Sequence, residues 1–179
     1  MNTALLVIDV QQGLCEGENA AFDFERVISR INAVSAKMRA AGGLVIFIQH
    51  ESTGGELVFG STSWQLANGL HIEASDTRMR KTSPDSFHRT KLEELLKAQG
   101  IRDLVICGMH TEFCVDTTAR RALALGYPVL LIEDAHTTEG KKHLSAEEII
   151  RHHNATLTNI TSFGPRVRTV SAENFELLP

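Results

Sequence analysis

A three-layer α/β fold is predicted, with a mostly parallel central sheet of about six strands and helices on both faces in the Rossmann-like manner. Two observations predict it. One grammar occurs in AAGGLVIFIQ (40–49), AQGIRDLVICGM (98–109) and ALGYPVLLIE (124–133): a helix tail, a glycine suited to the left-handed position after a helix, and a continuous apolar run rich in Val and Ile. Runs apolar on both sides belong to strands buried between two helical layers. Segments with helical periodicity separate these runs, and strands alternating with helices through short links give a parallel sheet with right-handed crossovers.

The elements follow in order. ALLVIDV (4–10) is the first strand. Over 23–41, Asp23 is a candidate cap, and Phe24, Val27, Ile28, Ile31, Val34 and Met38 follow the three-and-four spacing of one buried helix face. After the second strand, residues 50–76 lack regular pattern and hold Gly54, Gly55, Gly60, Trp64 and Gly69, so they are expected to form an excursion or binding lid. TRMRK (77–81) reads as a short strand with Thr77, Met79 and Lys81 on one face and Arg78 and Arg80 on the other, stopped by Pro84. TKLEELLKAQG (90–100) and SAEEIIRHHNATL (145–157) are helices opened by Thr90/Glu93 and Ser145/Glu148 capping boxes. In GMHTEFCVDTTARRAL (108–123) a strand passes into a helix with Thr111 as N-cap, and RVRTV (166–170) is the last strand. One domain is expected over 1–179.

Apolar residues make up 42% and charged residues 22%, with a formal net charge of −4, the composition of a soluble globular protein. No basic excess points to nucleic acid as a partner. The N-terminal apolar run, ALLVI, is too short for a signal or a membrane span, so no membrane association and a cytoplasmic location are expected. Cys15, Cys107 and Cys114 are odd in number and lack CxxC spacing, which favours neither a disulfide framework nor a zinc knuckle.

Parallel sheets of this kind bind ligands beyond the C-terminal ends of their strands. The polar residues there are Asp9, Gln49, His50, the stretch 108–110, Glu133 and Asp134. Asp9 interrupts an apolar pattern, so burial is expected, and a buried carboxylate needs a cation or several donors. Lys81 follows Met79 to the core side and is a possible partner. Cys114 falls in the first turn of a helix, where free backbone N–H groups favour a thiolate. Each has an ordinary structural reading as well: a capping aspartate, a solvated lysine, a packed cysteine. Together they make a nucleophile, a base and a positive group at one sheet rim.

The residues that carry this set also resemble a known family. LLVIDVQQG (5–13), KTSPDSFHRT (81–90), VICGMHTEFCVDTTARRALALGYPV (105–129) and the following IEDA match, in order, the motifs of the isochorismatase-like cysteine hydrolase superfamily. It includes nicotinamidases, N-carbamoylsarcosine amidase and ureidoacrylate hydrolases. The resemblance implies Cys114 as nucleophile, Asp9 as general base and then acid, and Lys81 as the supporting cation. It also implies a cis peptide between Met109 and His110 and an oxyanion hole from the backbone N–H groups of His110 and Cys114. The expected activity is hydrolysis of a C–N bond in a small amide, ureide or carbamoyl compound. Hydrolysis of a vinyl ether, a non-catalytic binding protein keeping the fold, and a thiol redox sensor are the alternatives.

Leu14, His50, Trp64, Phe87, Phe113 and His136 are candidate substrate-binding residues, Phe87 and Phe113 being equally readable as core. Where nicotinamidases carry metal ligands this chain has IQHESTGG (48–55), with Gln49 in place of a carboxylate. His50 and His71 are the remaining possible ligands there, and no metal or other cofactor is expected. The partners expected are a small-molecule substrate and, as in relatives, further copies of the chain in a homo-oligomer. Arg120/Arg121 and His152/His153 read as solvated helix faces or subunit contacts.

Overall fold

Alternate residues of the first strand settle the layering. Leu5 and Val7 pack with Val45, Phe47, Val105 and Cys107 against Val27, Ile31, Val34 and Met38 of one long helix. Ala4, Leu6 and Ile8 pack with Ile46, Ile48, Leu104 and Ile106 against Leu92, Leu96, Ala119, Ala122 and Leu157 from three others. Both faces of the sheet are therefore dry, which is why its strands read as continuous apolar runs.

The structure is a computed structural model describing residues 2–177. The element order is β1 (Thr3–Ile8), α1 (Gln12–Cys15), α2 (Phe24–Ala40), β2 (Leu44–His50), β3 (Thr77–Lys81), α3 (Leu92–Ala98), β4 (Asp103–Met109), a π-helical turn (Thr111–Val115), α4 (Asp116–Ala124), β5 (Val129–Thr137), α5 (Ala146–Thr158) and β6 (Val167–Val170). The six strands, in spatial order β3-β2-β1-β4-β5-β6, are all paired in parallel. The order reverses between β1 and β4, the switch point where such sheets open a crevice.

Each predicted strand is present, and so is the Ser145/Glu148 capping box of α5. Three caps differ from expectation. Asp23 has a left-handed backbone (φ 51°) and no capping hydrogen bond; its carboxylate pairs with Arg26 at 3.5 Å instead. Lys91 precedes α3, while the Thr90 hydroxyl donates to the Ser86 carbonyl at 2.7 Å. His110 rather than Thr111 precedes the π-turn. Asp23 and Thr90 thus bond to other groups close by in the chain, while the Thr111 hydroxyl meets His136 Nδ1 at 2.9 Å.

Residues 51–76 form no helix or strand, as predicted, but they are tied down. Gly13 N donates to Ser63 O and Ala67 N to Val10 O, both at 2.9 Å. A Cβ at Gly13 would lie 2.9 Å from Ser63 Cβ, so the segment lies directly against α1. Among the described residues, no helix is long and apolar enough to cross a membrane.

Candidate active site

Asp9, Lys81 and Cys114 come from three separate strand ends and meet over the switch point. β1 stops at Ile8 because Asp9 takes a left-handed backbone (φ 51°), tolerated by Asp better than by bulkier residues, while its N–H still reaches Ile48 O at 2.8 Å. The burial of β3 alternates as its sequence does, ending with a buried Lys81. Parallel pairing sets His50 beside Lys81. Beneath the site Gly108 has φ 122°, and a Cβ there would lie 2.0 Å from Ile8 O, so β1 and β4 could not approach as they do with any other residue. The Met109–His110 peptide that follows is cis. The chain then enters the π-turn, where Val115 N donates to His110 O at 3.2 Å, and this turn carries Cys114.

The ammonium of Lys81 is the hub. Its Nζ is 2.6 Å from Asp9 Oδ2, 3.0 Å from Ser83 O, 3.2 Å from Cys114 Sγ and 3.3 Å from His50 Nδ1. An ammonium has three N–H groups, so its donor capacity is fully used. The Lys81 side chain is 0% exposed and that of Asp9 1%, and a charge pair this buried persists only with such geometry. Asp9 Oδ1 has no hydrogen-bond partner of its own within normal length. Burial first, and then the Asp9 carboxylate, push the Cys114 thiol up to about 12 against the downward pull of Lys81. The helix start was expected to favour a thiolate; desolvation outweighs it, so the resting sulfur keeps its proton. His50 is pushed below the usual histidine range by burial and by Lys81, and His110 chiefly by burial, leaving both imidazoles neutral at pH 7.

A cleft of about 230 Å³ opens onto this cluster. Leu14, Leu57, Pro84 and Phe113 supply its apolar lining, and Asp9, His50, His110 and Cys114 its polar lining. Three of the six predicted substrate-binding residues, Leu14, His50 and Phe113, thus border it. The other three lie elsewhere. Phe87 is buried in the core with its ring stacked 6.3 Å from Tyr127. His136 is buried too, held between Thr111 Oγ1 and Asn154 Oδ1 at 2.9 Å each. Trp64 packs edge-on against Phe59, and its backbone carbonyl accepts hydrogen bonds from Gln11 and Gln49.

Gln11 entered the sequence reading only as part of the LLVIDVQQG match, with no role given to it. Fully buried, it bonds both the N–H and the C=O of His50 and also Trp64 O, so one amide fixes β2's end and the excursion together. Its place two residues after Asp9, on a β1 side already committed to burial, was the available signal. Cys15 and Cys107 are core residues, with Cys15 Sγ 3.8 Å from Met109 Sδ.

Asp9, His50 and Cys114 each offer a ligand atom, all within 4.8 Å of one another. The Lys81 ammonium stands within 3.3 Å of all three, so a divalent cation would share its space with a positive charge. These residues do not fit a resident metal. His71 is exposed, and its backbone is held on the surface by Asn32 and Arg39.

A wholly parallel sheet layered by helices, with a polar cluster and a cleft over its switch point, defines an α/β protein with the arrangement in which such folds place their ligand sites. The comparisons with known proteins narrow this. The Isochorismatase domain family profile matches residues 3–162, and the chain belongs to that family of hydrolases. It is 39% identical to a streptothricin hydrolase of Streptomyces noursei over 136 residues, covering 75% of this chain and 49% of that protein. The chain thus spans about half the length of the two streptothricin hydrolases it matches. It is 28% identical to a ureidoacrylate amidohydrolase of Caulobacter segnis, over 94% of this chain and 83% of the relative. A crystal structure of an isochorismatase family protein superposes with a TM-score of 0.87 at 39% identity, covering 95% of this chain and 98% of that one.

Proposed function

We propose that the protein is a cysteine hydrolase that cleaves the C–N bond of a small amide, ureide or carbamoyl compound through a thioester on Cys114. The observation that carries this is the bridge made by Lys81 Nζ, 2.6 Å from the Asp9 carboxylate and 3.2 Å from the Cys114 sulfur at one cleft. The amidohydrolase activity named for the Caulobacter segnis relative supports the same class.

In this mechanism the thiol proton passes to Asp9 as the sulfur attacks the substrate carbonyl carbon. Transfer in concert with attack suits a thiol whose surroundings disfavour a free thiolate. The C=O π pair moves to oxygen, and the backbone N–H groups of His110 and Cys114 stabilise that oxyanion. Its collapse breaks the C–N bond, the proton on Asp9 leaves with the nitrogen as ammonia or an amine, and a thioester remains. Water, deprotonated by Asp9, attacks the thioester, and the sulfur recovers the proton. Lys81, in reach of both the carboxylate and the sulfur, holds Asp9 in line with Cys114 as the proton comes and goes, which is its role as a positioning cation.

Ammonia release from a panel of small amides and ureides tests this. Wild-type protein is expected to release ammonia, and Cys114→Ala to fold normally and release none above background. Undiminished turnover by Cys114→Ala on the same substrate would rule out the assignment.

A further inference from the structure

The cleft combines an apolar wall with very little positive charge. Among its lining residues there is no cationic side chain other than what a neutral histidine could become, and both histidines are held neutral by their surroundings. The nearest buried cation, Lys81, is fully engaged by Asp9, Ser83, His50 and Cys114 and shows no exposed surface. The surface cations nearby are also committed. Lys141, 5.4 Å from the Phe113 ring, is shared between Glu112 and Glu139, and Arg80 lies over Phe59 while paired with Glu51. Three acids face two bases across these groups, so the local field does not attract anions. The fixed charge that lines the cleft itself is the Asp9 carboxylate.

A carboxylate on the substrate would therefore leave water for a site with an anion and no free donor cation, at an uncompensated desolvation cost. Leu14, Leu57, Pro84 and Phe113 offer instead apolar surface to a hydrocarbon group. A cleft of about 230 Å³ is at the small end of ligand sites and suits a compact substrate.

We infer that this cleft selects small uncharged substrates, amides whose acyl part is apolar, and rejects amides or ureides whose acyl part carries a carboxylate. The inference deepens the hydrolase reading above and rests on it for the reacting group. It assigns Leu14, Leu57 and Phe113 as the residues that set acyl specificity.

Binding and turnover are measured on two pairs matched in heavy-atom count, 3-methylbutanamide against malonamate and 4-methylpentanamide against succinamate. Binding is read by calorimetry on the Cys114→Ala protein, which needs no chemistry, and kcat/KM by ammonia release on the wild type. The neutral member of each pair is expected to be favoured by about 30-fold or more in both readouts. Equal or tighter binding of the carboxylate-bearing members, or failure of both neutral members to bind, overturns the inference. Neutral amides that bind without ammonia release would instead remove the hydrolase reading and leave the charge selection standing. Fastest release from the carboxylate-bearing members would do the reverse.

Discussion

Cys114 holds its proton at neutral pH because burial and Asp9 together outweigh Lys81. This yields a test in which two properties of one residue move in opposite directions. Asp9→Asn removes the nearby negative charge and leaves Lys81 beside the sulfur, so the thiol pKa falls and the thiolate fraction at pH 7 rises. Alkylation by the neutral reagent iodoacetamide is expected to become faster than in the wild type, while hydrolysis falls by about a hundredfold or more with loss of the base. Mass spectrometry of the alkylated site and ammonia release check the two halves, with Cys15 and Cys107 silent because burial pushes both thiols up as well. Slower alkylation of Asp9→Asn would contradict the electrostatic account. The identity of the cluster was legible in the sequence, since alternation in TRMRK and the interruption at Asp9 both aim their side chains at one rim. The protonation state was not, because helix-start geometry is local and desolvation depends on the whole surround.

Strand ends and turns, rather than whole strands, decide where the cluster sits. At Gly108 a β-carbon would lie 2.0 Å from the Ile8 carbonyl oxygen, so Gly108→Ala must push β1 from β4. A loss of about 3 kcal/mol or more in urea denaturation is expected, or failure to fold. Gln11→Ala strips three hydrogen bonds from His50 and Trp64. A cost of about 2 to 4 kcal/mol follows from leaving buried backbone groups unpaired, together with faster proteolysis within residues 51–63. Wild-type-like cleavage rates there would show that the excursion is held by other contacts. The glycine-then-apolar grammar exposed the strands because both flanking layers demand continuous apolar runs. Caps were less legible: Asp23, Thr90 and Thr111 all carry capping chemistry, yet Asp23 and Thr90 bond to Arg26 and Ser86 close by in the chain, and Thr111 to a partner that only tertiary structure provides. For Thr111 that partner is His136, on β5.

The same histidine ties the stability of the whole molecule to pH. Burial pushes His136 down to about 4, and its Asn154 hydrogen bond only partly offsets this. The unfolded chain binds the proton near the ordinary value of about 6.5. Between those two values the unfolded state carries more protons than the folded one, so stability rises with pH and is lost as pH falls from about 6.5 toward 4. The loss from this residue is on the order of 3 kcal/mol. Urea midpoints at pH 7 and pH 4.5 are expected to differ accordingly, and His136→Gln should flatten the difference; an equal slope in the variant would assign the acid sensitivity to other groups. Layering, strand number and strand direction were readable from pattern because they depend on period and on link length. What fills the cleft mouth was not readable, since Leu57 reaches it from an unpatterned segment whose course is fixed by Gln11, Gly13 and Val10.

Lys81 reaches Asp9 across 72 positions of sequence, and this separation has a consequence for biosynthesis. Asp9 leaves the ribosome at the end of the first strand, long before the sheet-edge strand that carries its cation. A nascent chain ending anywhere before residue 81 can pair β1 with β2 only by keeping that carboxylate wet, since an unpaired buried charge is too costly to hold. The docking of β3 is thus the event that lets the centre of the sheet close over its own acid, and the buried Asp9–Lys81 pair and the hydrophobic interior are completed together.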